Sequence, residues 1–241
     1  MKLSIIVPAY NEGERIAPTL TTYGQFFDKK KEVEKDFDYE LLVVLNGCKD
    51  NTLEVVKKVQ QKYSSIRILD LPKAGKGLAI VAGFQDALKR KNDLIGFVDA
   101  DMATRPEYFY DLVEKMGSTD GIIASRYMPK SVTIPKRPFV KQWGRKLVYH
   151  PLIWMLFGMN YYDYQCGAKI FKREVIEIIV PHFTLGQWAF DVELLYLCKK
   201  YKFTIKEAPT TWYDQEGSKL VLFSSGVSML SSLFKLRRNY W

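Results

Sequence analysis

Along the first half of the chain, short apolar runs alternate with longer stretches whose apolar residues recur every three or four positions. The runs "LSIIVPA", "YELLVVL", "IRILDL", "LIGFVDA" and "GIIAS" are rich in β-branched residues and apolar at successive positions, as in strands buried on both faces. Between them the spacing predicts helices ending near Phe27, over Thr52 to Tyr63, over Gly77 to Arg90 and over Pro106 to Met116. This alternation predicts an α/β fold with a mainly parallel sheet and helices on both faces. In such sheets ligands bind at the C-terminal strand ends.

Three of those ends carry helix-start chemistry. "NEGE" and "NTLE" place a capping side chain three residues before a glutamate, and "TRPE" repeats the spacing with Pro106 in the first turn. The connections are therefore short, and their side chains converge on one rim. After Arg126 the pattern loosens: "YMPKSVTIPKRPF" reads as a long loop, followed by an aromatic and basic helical region from Val140 to about Asn160. "YDYQCGAKIF" resembles a strand, "AFDVELLYLCKKY" a helix and "FTIKEAPTTWY" a final strand. The tail, with apolar residues at helical spacing, ends in Lys235, Arg237, Arg238, Tyr240 and Trp241. This divides the chain into a catalytic domain over 1–220, including the 127–162 loop and amphipathic region, and a basic amphipathic helix over 221–241.

The acidic pair Asp99 and Asp101 changes the picture from fold to chemistry. A carboxylate at the tip of a buried strand is costly unless it is solvated, paired or bound to a cation. A turn starting at Asp101 brings both toward one ion, and hard cations such as Mg²⁺ or Mn²⁺ take a few carboxylates plus ligand phosphates. The pair therefore offers a place for a metal diphosphate; the bland alternative is a turn cap beside a solvated charge. Around it stand Asn11, Glu12, Asn46, Gly47 and Asp50, and "PKAGKGLA" with Lys73 and Lys76. "AGKG" has neither the Walker A nor the GxGxxG spacing.

At 241 residues with 47% hydrophobic content the chain can bury one sizeable core. Its net charge of +9 favours polyanionic partners without choosing among them. Cys48, Cys166 and Cys198 are odd in number and lack CxxC spacing, which predicts neither disulfides nor zinc and fits a reducing, cytosolic setting. Cys166 is expected to be packed rather than reactive. "LSIIVPAY" is too short for a signal peptide, and no stretch reaches the ~20 apolar residues of a spanning helix.

Taken in order, "SIIVPAYNE", "GKGLA", "FVDADMAT", "ASRY", "YDYQCGAKIF", "WAFDVELL" and "EGSKL" resemble family 2 glycosyltransferases of the GT-A fold. Within that family the chain looks like the polyprenyl-phosphate sugar synthases, the dolichyl-phosphate β-glucosyltransferases above all. The resemblance implies that Pro8, Tyr10, Glu12, Asn46, Asp50 and Lys76 line the nucleotide-sugar site. It implies that Asp99 and Asp101, with Ala100 between them, are a DxD motif holding Mg²⁺ or Mn²⁺. The family often has two aspartates before the glycine of the second loop, where this chain reads "LNG"; UDP and GDP donors therefore both stay open. The implied reaction is inverting transfer of a hexose, glucose from UDP-glucose first, onto a polyprenyl (dolichyl) phosphate.

Members acting on hydroxyls carry an acidic base motif and a QxxRW signature, whereas "GQWAFDVE" lacks QxxRW and offers only Asp191 and Glu193 nearby. A phosphate acceptor needs positive side chains rather than a base, and Arg126, Lys136, Arg137, Arg145 and Lys169 supply basic groups between the DxD and that helix. Arg126, Arg137 and Arg145 are expected to hold the phosphate, and Asp191 to orient the donor sugar or acceptor. Such a lipid resides in a bilayer, so the aromatic-basic segment and the tail are expected to be interfacial helices, placing the protein peripherally on the cytoplasmic face of a membrane. A GDP-mannose-dependent synthase and a family 2 transferase acting on a hydroxyl are the nearer alternatives. A nucleotidyltransferase would need a glycine-rich basic loop after the first strand, where "PAYNEGER" is a poor match. No nucleic-acid-binding motif accompanies the charge.

Overall fold

The computed structural model describes residues 1–135, 149–184, 189–214 and 222–240. The five predicted apolar runs form β1 (Lys2–Ala9), β2 (Asp38–Asn46), β3 (Ile66–Leu71), β4 (Leu94–Val98) and β5 (Gly121–Ser125). Between them lie α1 (Ile16–Val33), α2 (Thr52–Gln60), α3 (Lys76–Ala87) and α4 (Pro106–Met116). In the second half come β6 (Val132–Ile134), α5 (His150–Phe157), β7 (Ala168–Lys172), α6 (Arg173–Ile179), a 3₁₀ turn over Val180–His182, α7 (Phe190–Lys200), β8 (Ile205–Pro209), β9 (Thr211–Tyr213) and α8 (Leu222–Asn239).

Seven strands form one sheet in the order β3-β2-β1-β4-β7-β5-β8, while β6 and β9 pair separately. β1 lies parallel to β2 and β4, as predicted. Its residues alternate between two apolar layers. Leu3, Ile5 and Val7 face a layer with Ile16, Leu20 and Phe27 of α1, Val56 of α2 and Phe109 of α4. Ile6 faces the other layer, with Ile80 and Phe84 of α3, Ile153 of α5, Ile176 of α6, Leu194 of α7 and Leu233 and Leu236 of α8. The sheet is thus buried on both faces, which explains why its strands read as continuous apolar runs.

The sheet is mainly parallel, as expected; within it β7 runs antiparallel to both neighbours, β4 and β5. It fits closely because Gly96 of β4 has no Cβ; one placed there would come 2.6 Å from the Lys169 carbonyl oxygen. α6 follows β7 without a gap; its short "REVIEII" run carries too few turns for a periodicity to stand out. The strand expected over "FTIKEAPTTWY" divides at Thr210 into β8 and β9, which join different sheets. None of the three expected capping side chains caps a helix. α1 begins at Ile16, well after Asn11, and Arg105 rather than Thr104 precedes Pro106. Of the would-be capping side chains, Asn11 instead braces the rim.

Candidate active site

The rim is built where β1, β2 and β4 end side by side. Asn46, buried at the end of β2, donates from Nδ2 to the Ala9 carbonyl (2.8 Å) and accepts the Gly75 N–H at Oδ1 (3.0 Å). One neutral side chain thereby ties the first, second and third strand–helix loops together. The next residue must be glycine: Gly47 has φ of +69°, and a Cβ there would come 2.8 Å from the Ala74 nitrogen. Asn11, also left-handed at φ +52°, accepts the Lys49 N–H at Oδ1 (2.8 Å). The Glu12 N–H donates to Thr52 Oγ1 (2.9 Å), and that of Gly13 to Asp50 Oδ2 (3.1 Å). Burial pushes the Asp50 carboxyl up, but hydrogen bonds from Thr52 and Gly13 outweigh it and hold the group below the usual carboxylate range. Asn46, buried, and Asp50, exposed, both expected at the nucleotide, thus brace these loops. Pro8 is buried in β1, while Tyr10, 43% exposed, stands at the open end.

Asp99 follows β4 directly. Its N–H donates to the Gly167 carbonyl (3.1 Å), and its carboxylate lies so close to Gly167 that a Cβ there would come within 1.9 Å of Oδ2. β7 thus seats the first aspartate from the side. Lys76, the first residue of α3, forms an ion pair with Asp99 Oδ1. Burial lowers the Lys76 pKa, yet the charges of Asp99, Asp191 and Asp101 raise it further, so the ammonium is firmly protonated. Asp101 turns the chain by accepting the Ala103 N–H at Oδ1 (3.1 Å). Thr19 of α1 holds the turn by donating to the Ala100 carbonyl (2.7 Å), and Tyr23 donates to that of Thr104 (2.8 Å).

Desolvation, and then repulsion from Asp99, pushes the Asp101 carboxyl up to about 6. Two crowded carboxylates, one carrying so costly a charge, are a donor set a hard divalent cation relieves. Among the described residues no group of three or more His, Cys, Asp or Glu side chains gathers to hold a metal. Two aspartates therefore suit a cation whose other positions are filled by ligand oxygens or water. Arg15 faces the same turn: both oxygens of Glu12 accept from it at 2.7 Å, and the charge of Asp101 helps raise its pKa after that of Glu12.

On the β7 side, Lys169 is fully buried, its ammonium bonded to Asp191 Oδ1 (2.5 Å) and the Cys166 carbonyl (2.8 Å). Asp191, in the first turn of α7, is thus held toward the site by a buried counter-charge. Arg126, directly after β5, donates to Asp163 from Nε (2.6 Å), Nη2 (2.9 Å) and its backbone N–H (3.1 Å), and stacks over the Trp212 ring. Its charge, expected at an acceptor phosphate, is thus shared with an acid of its own. Burial pushes the Cys166 thiol up to about 12, so it is packed and unreactive, as expected. Arg137 and Arg145 lie outside the described residues.

The chain that carries this turn is similar to known proteins over most of its length. Residues 4–179 match the family described as glycosyl transferase family 2. The chain belongs to family 2 of the glycosyltransferases. A dolichyl-phosphate beta-glucosyltransferase of Dictyostelium discoideum is 34% identical to the enzyme over 250 residues, covering 99% of this chain and 74% of that protein. One from Homo sapiens is 35% identical over 256 residues, covering 99% and 76%. The fold is also that of a glucosyl-3-phosphoglycerate synthase of Mycobacterium tuberculosis, solved with Mn²⁺, uridine diphosphate and phosphoglyceric acid (TM-score 0.67, 17% identity, 98% of this chain and 78% of that one). A mannosyl-3-phosphoglycerate synthase of Rubrobacter xylanophilus is similar in fold (TM-score 0.68, 16% identity, 99% and 76%). The enzyme thus has the GT-A fold that its sequence resembles.

Sequence reasoning missed Gly167, Asp163, Thr19 and Arg15 and counted Lys169 only as one basic residue among several. Lys169 alone gave a usable signal: a lysine inside an otherwise apolar run needs a buried acid.

Proposed function

We propose that the enzyme transfers glucose from UDP-glucose to dolichyl phosphate with inversion at the anomeric carbon. The observation that carries this reading is the near-full-length similarity to dolichyl-phosphate beta-glucosyltransferases. The rim geometry supports it, with two acids and a lysine suited to a metal-bound diphosphate at the ends of β4 and the third loop.

In this reading Tyr10 and Glu12 border the nucleoside, and Asp99 and Asp101 hold Mg²⁺ or Mn²⁺. When bound, that ion neutralises charge developing on the leaving diphosphate. Lys76, poised on Asp99, supplies a second positive charge to the same oxygens. An acceptor phosphate oxygen forms its bond to the anomeric carbon as the bond from that carbon to the UDP oxygen breaks, and UDP leaves with the electron pair. The acceptor already carries ~1.5 to 2 negative charges near neutral pH, so no base has to remove a proton. Asp191, oriented by Lys169, hydrogen-bonds the donor sugar. Arg126, Arg137 and Arg145 receive the acceptor phosphate, Arg126 from a guanidinium already aligned by Asp163. The lipid acceptor places the enzyme peripherally on the cytoplasmic face of a membrane.

The test is direct. Incubated with Mg²⁺ or Mn²⁺ and a short polyprenyl phosphate, the protein is expected to form lipid-linked hexose, detected by mass, from UDP-glucose in preference to GDP-mannose. Asp99→Asn and Asp101→Asn should each lower the rate on the order of a hundredfold or more. Product from GDP-mannose alone would replace glucose by mannose, and product from no donor would end the transferase reading.

A further inference from the structure

α5 has the sequence "HPLIWMLF", without an Asp, Glu, Lys or Arg. Ile153 and Phe157 are buried in the core, while Trp154 and Met155 point outward, 64% and 68% exposed. Beside it α8 repeats the division: Leu233 and Leu236 are fully buried, and Phe234 between them is 55% exposed. A groove of about 360 Å³ separates the two helices, lined by Met155, Leu156, Phe234, Arg237 and Arg238. Lys235 adds a third positive charge to the same last turns of α8. A tryptophan, a methionine and a phenylalanine left in water beside arginines and a lysine make a surface apolar at its centre and cationic at its edge.

We propose that this face, formed by α5 and the C-terminal half of α8, docks on the surface of an anionic bilayer. The proposal rests on the reading above that the acceptor is a lipid phosphate, and it names the part of the enzyme that meets the lipid. Apolar side chains with Trp among them enter the boundary between headgroups and acyl chains, while Arg and Lys pair with anionic headgroups. α5 has eight residues, far too few to span, and no described helix is long and apolar enough to cross a membrane. The face therefore lies on the bilayer. Charge argues against a second copy of the chain as occupant: a two-fold pairing would bring Arg237 and Arg238 of both copies together on proteins that each carry +9. α5 also leads back to the reaction centre. Tyr149, immediately before it, packs edge-on against Tyr164, three residues from the Gly167 that seats Asp99.

Full-length protein is mixed with phosphatidylcholine vesicles, with or without phosphatidylserine, and sedimented. Wild type is expected to pellet with the phosphatidylserine vesicles and to be released by salt. Lys235→Gln combined with Arg238→Gln should weaken binding roughly 30-fold, the worth of two basic contacts. Trp154→Ser with Phe234→Ser should remove binding even at low salt. Equal binding by wild type and both double variants, or no preference for phosphatidylserine, would overturn the proposal. So would a dimer in light scattering that the serine variant dissolves, since the face would then be a contact between copies. The same variants are assayed for transfer to a short, water-soluble polyprenyl phosphate without vesicles. Full activity there with lost vesicle binding confirms the docking face; no transfer by wild type overturns the acceptor reading while the sedimentation result still scores the face.

Discussion

Gly167 shows how much of the site depends on one missing side chain. A Cβ at this position would fall 1.9 Å from Asp99 Oδ2, so Gly167→Ala must displace the carboxylate. Misplacing a reacting group by about 1 Å costs on the order of a hundredfold in rate. We therefore expect Gly167→Ala to lose that much kcat/KM while its melting temperature stays near wild type; a fully active variant would show that Asp99 is not fixed from this side. Lys169 acts through Asp191 in a comparable way. Lys169→Met leaves the acid without its buried counter-charge, and sugar transfer should fall while nucleotide affinity, measured by calorimetry, is kept. An equal loss of both would mean that Lys169 supports the fold as a whole. Gly167 was not legible as functional from the sequence, because it acts on a carboxylate far away in the chain, whereas Lys169 showed only as a lysine in an apolar run that needs a buried acid, without saying which.

Elements were legible to different degrees, for physical reasons. β5 and α4 fall where their patterns put them, because a strand buried on both faces and a helix opened by proline each leave a strong local signature; β3 also falls in place, as an edge strand that leaves Arg67 and Asp70 exposed. The direction of β7 was not legible, since its five residues pair the same apolar faces whichever way they run. The cap signals misled because the Asn11 amide accepts from Lys49 in the second loop, while the Thr104 hydroxyl is buried without a hydrogen-bond partner among the described residues and Arg105 takes the position before the helix. Arg126 and Asp163 link two such elements, the end of β5 and the loop before β7. Their side chains are only 10% and 2% exposed, so Arg126→Ala strands a buried carboxylate. Removing one partner of a buried pair costs about 3–5 kcal/mol, a loss that urea denaturation would register. Replacing Asp163 by Leu in the same variant should restore part of it. If Arg126→Ala unfolds like wild type but raises the acceptor KM, the arginine's charge serves the lipid phosphate more than the fold.

Across the whole molecule, acid should be the enzyme's weak side. Asp163, Asp120 and Asp50 are all held below the usual carboxylate range. For Asp163 burial raises the pKa and the Arg126 charge more than reverses it; for Asp120 the backbone and hydroxyl of Thr204 lower it. A group whose pKa is depressed by folding contributes stability above its unfolded value, ~3.9 for aspartate, and loses it as pH falls through the folded value. The melting temperature is thus expected to be flat near neutrality and to drop below about pH 4; a profile unchanged to pH 3 would mean that these contacts do not hold the carboxylates down. The molecule's +9 adds self-repulsion as the acids are neutralised, in the same direction.

The antiparallel strand between β4 and β5 has a consequence for how the protein is made. Synthesis runs from the N-terminus, and the strands from β1 to β4, with the helices among them, can begin to assemble as they emerge. At that stage the acidic turn is present but lacks the wall that fixes it, because Gly167 and Lys169 are still to be translated. In the proposed reaction the grip on a sugar nucleotide is therefore acquired late, and a chain released before β7 is expected to be partly folded yet catalytically blank.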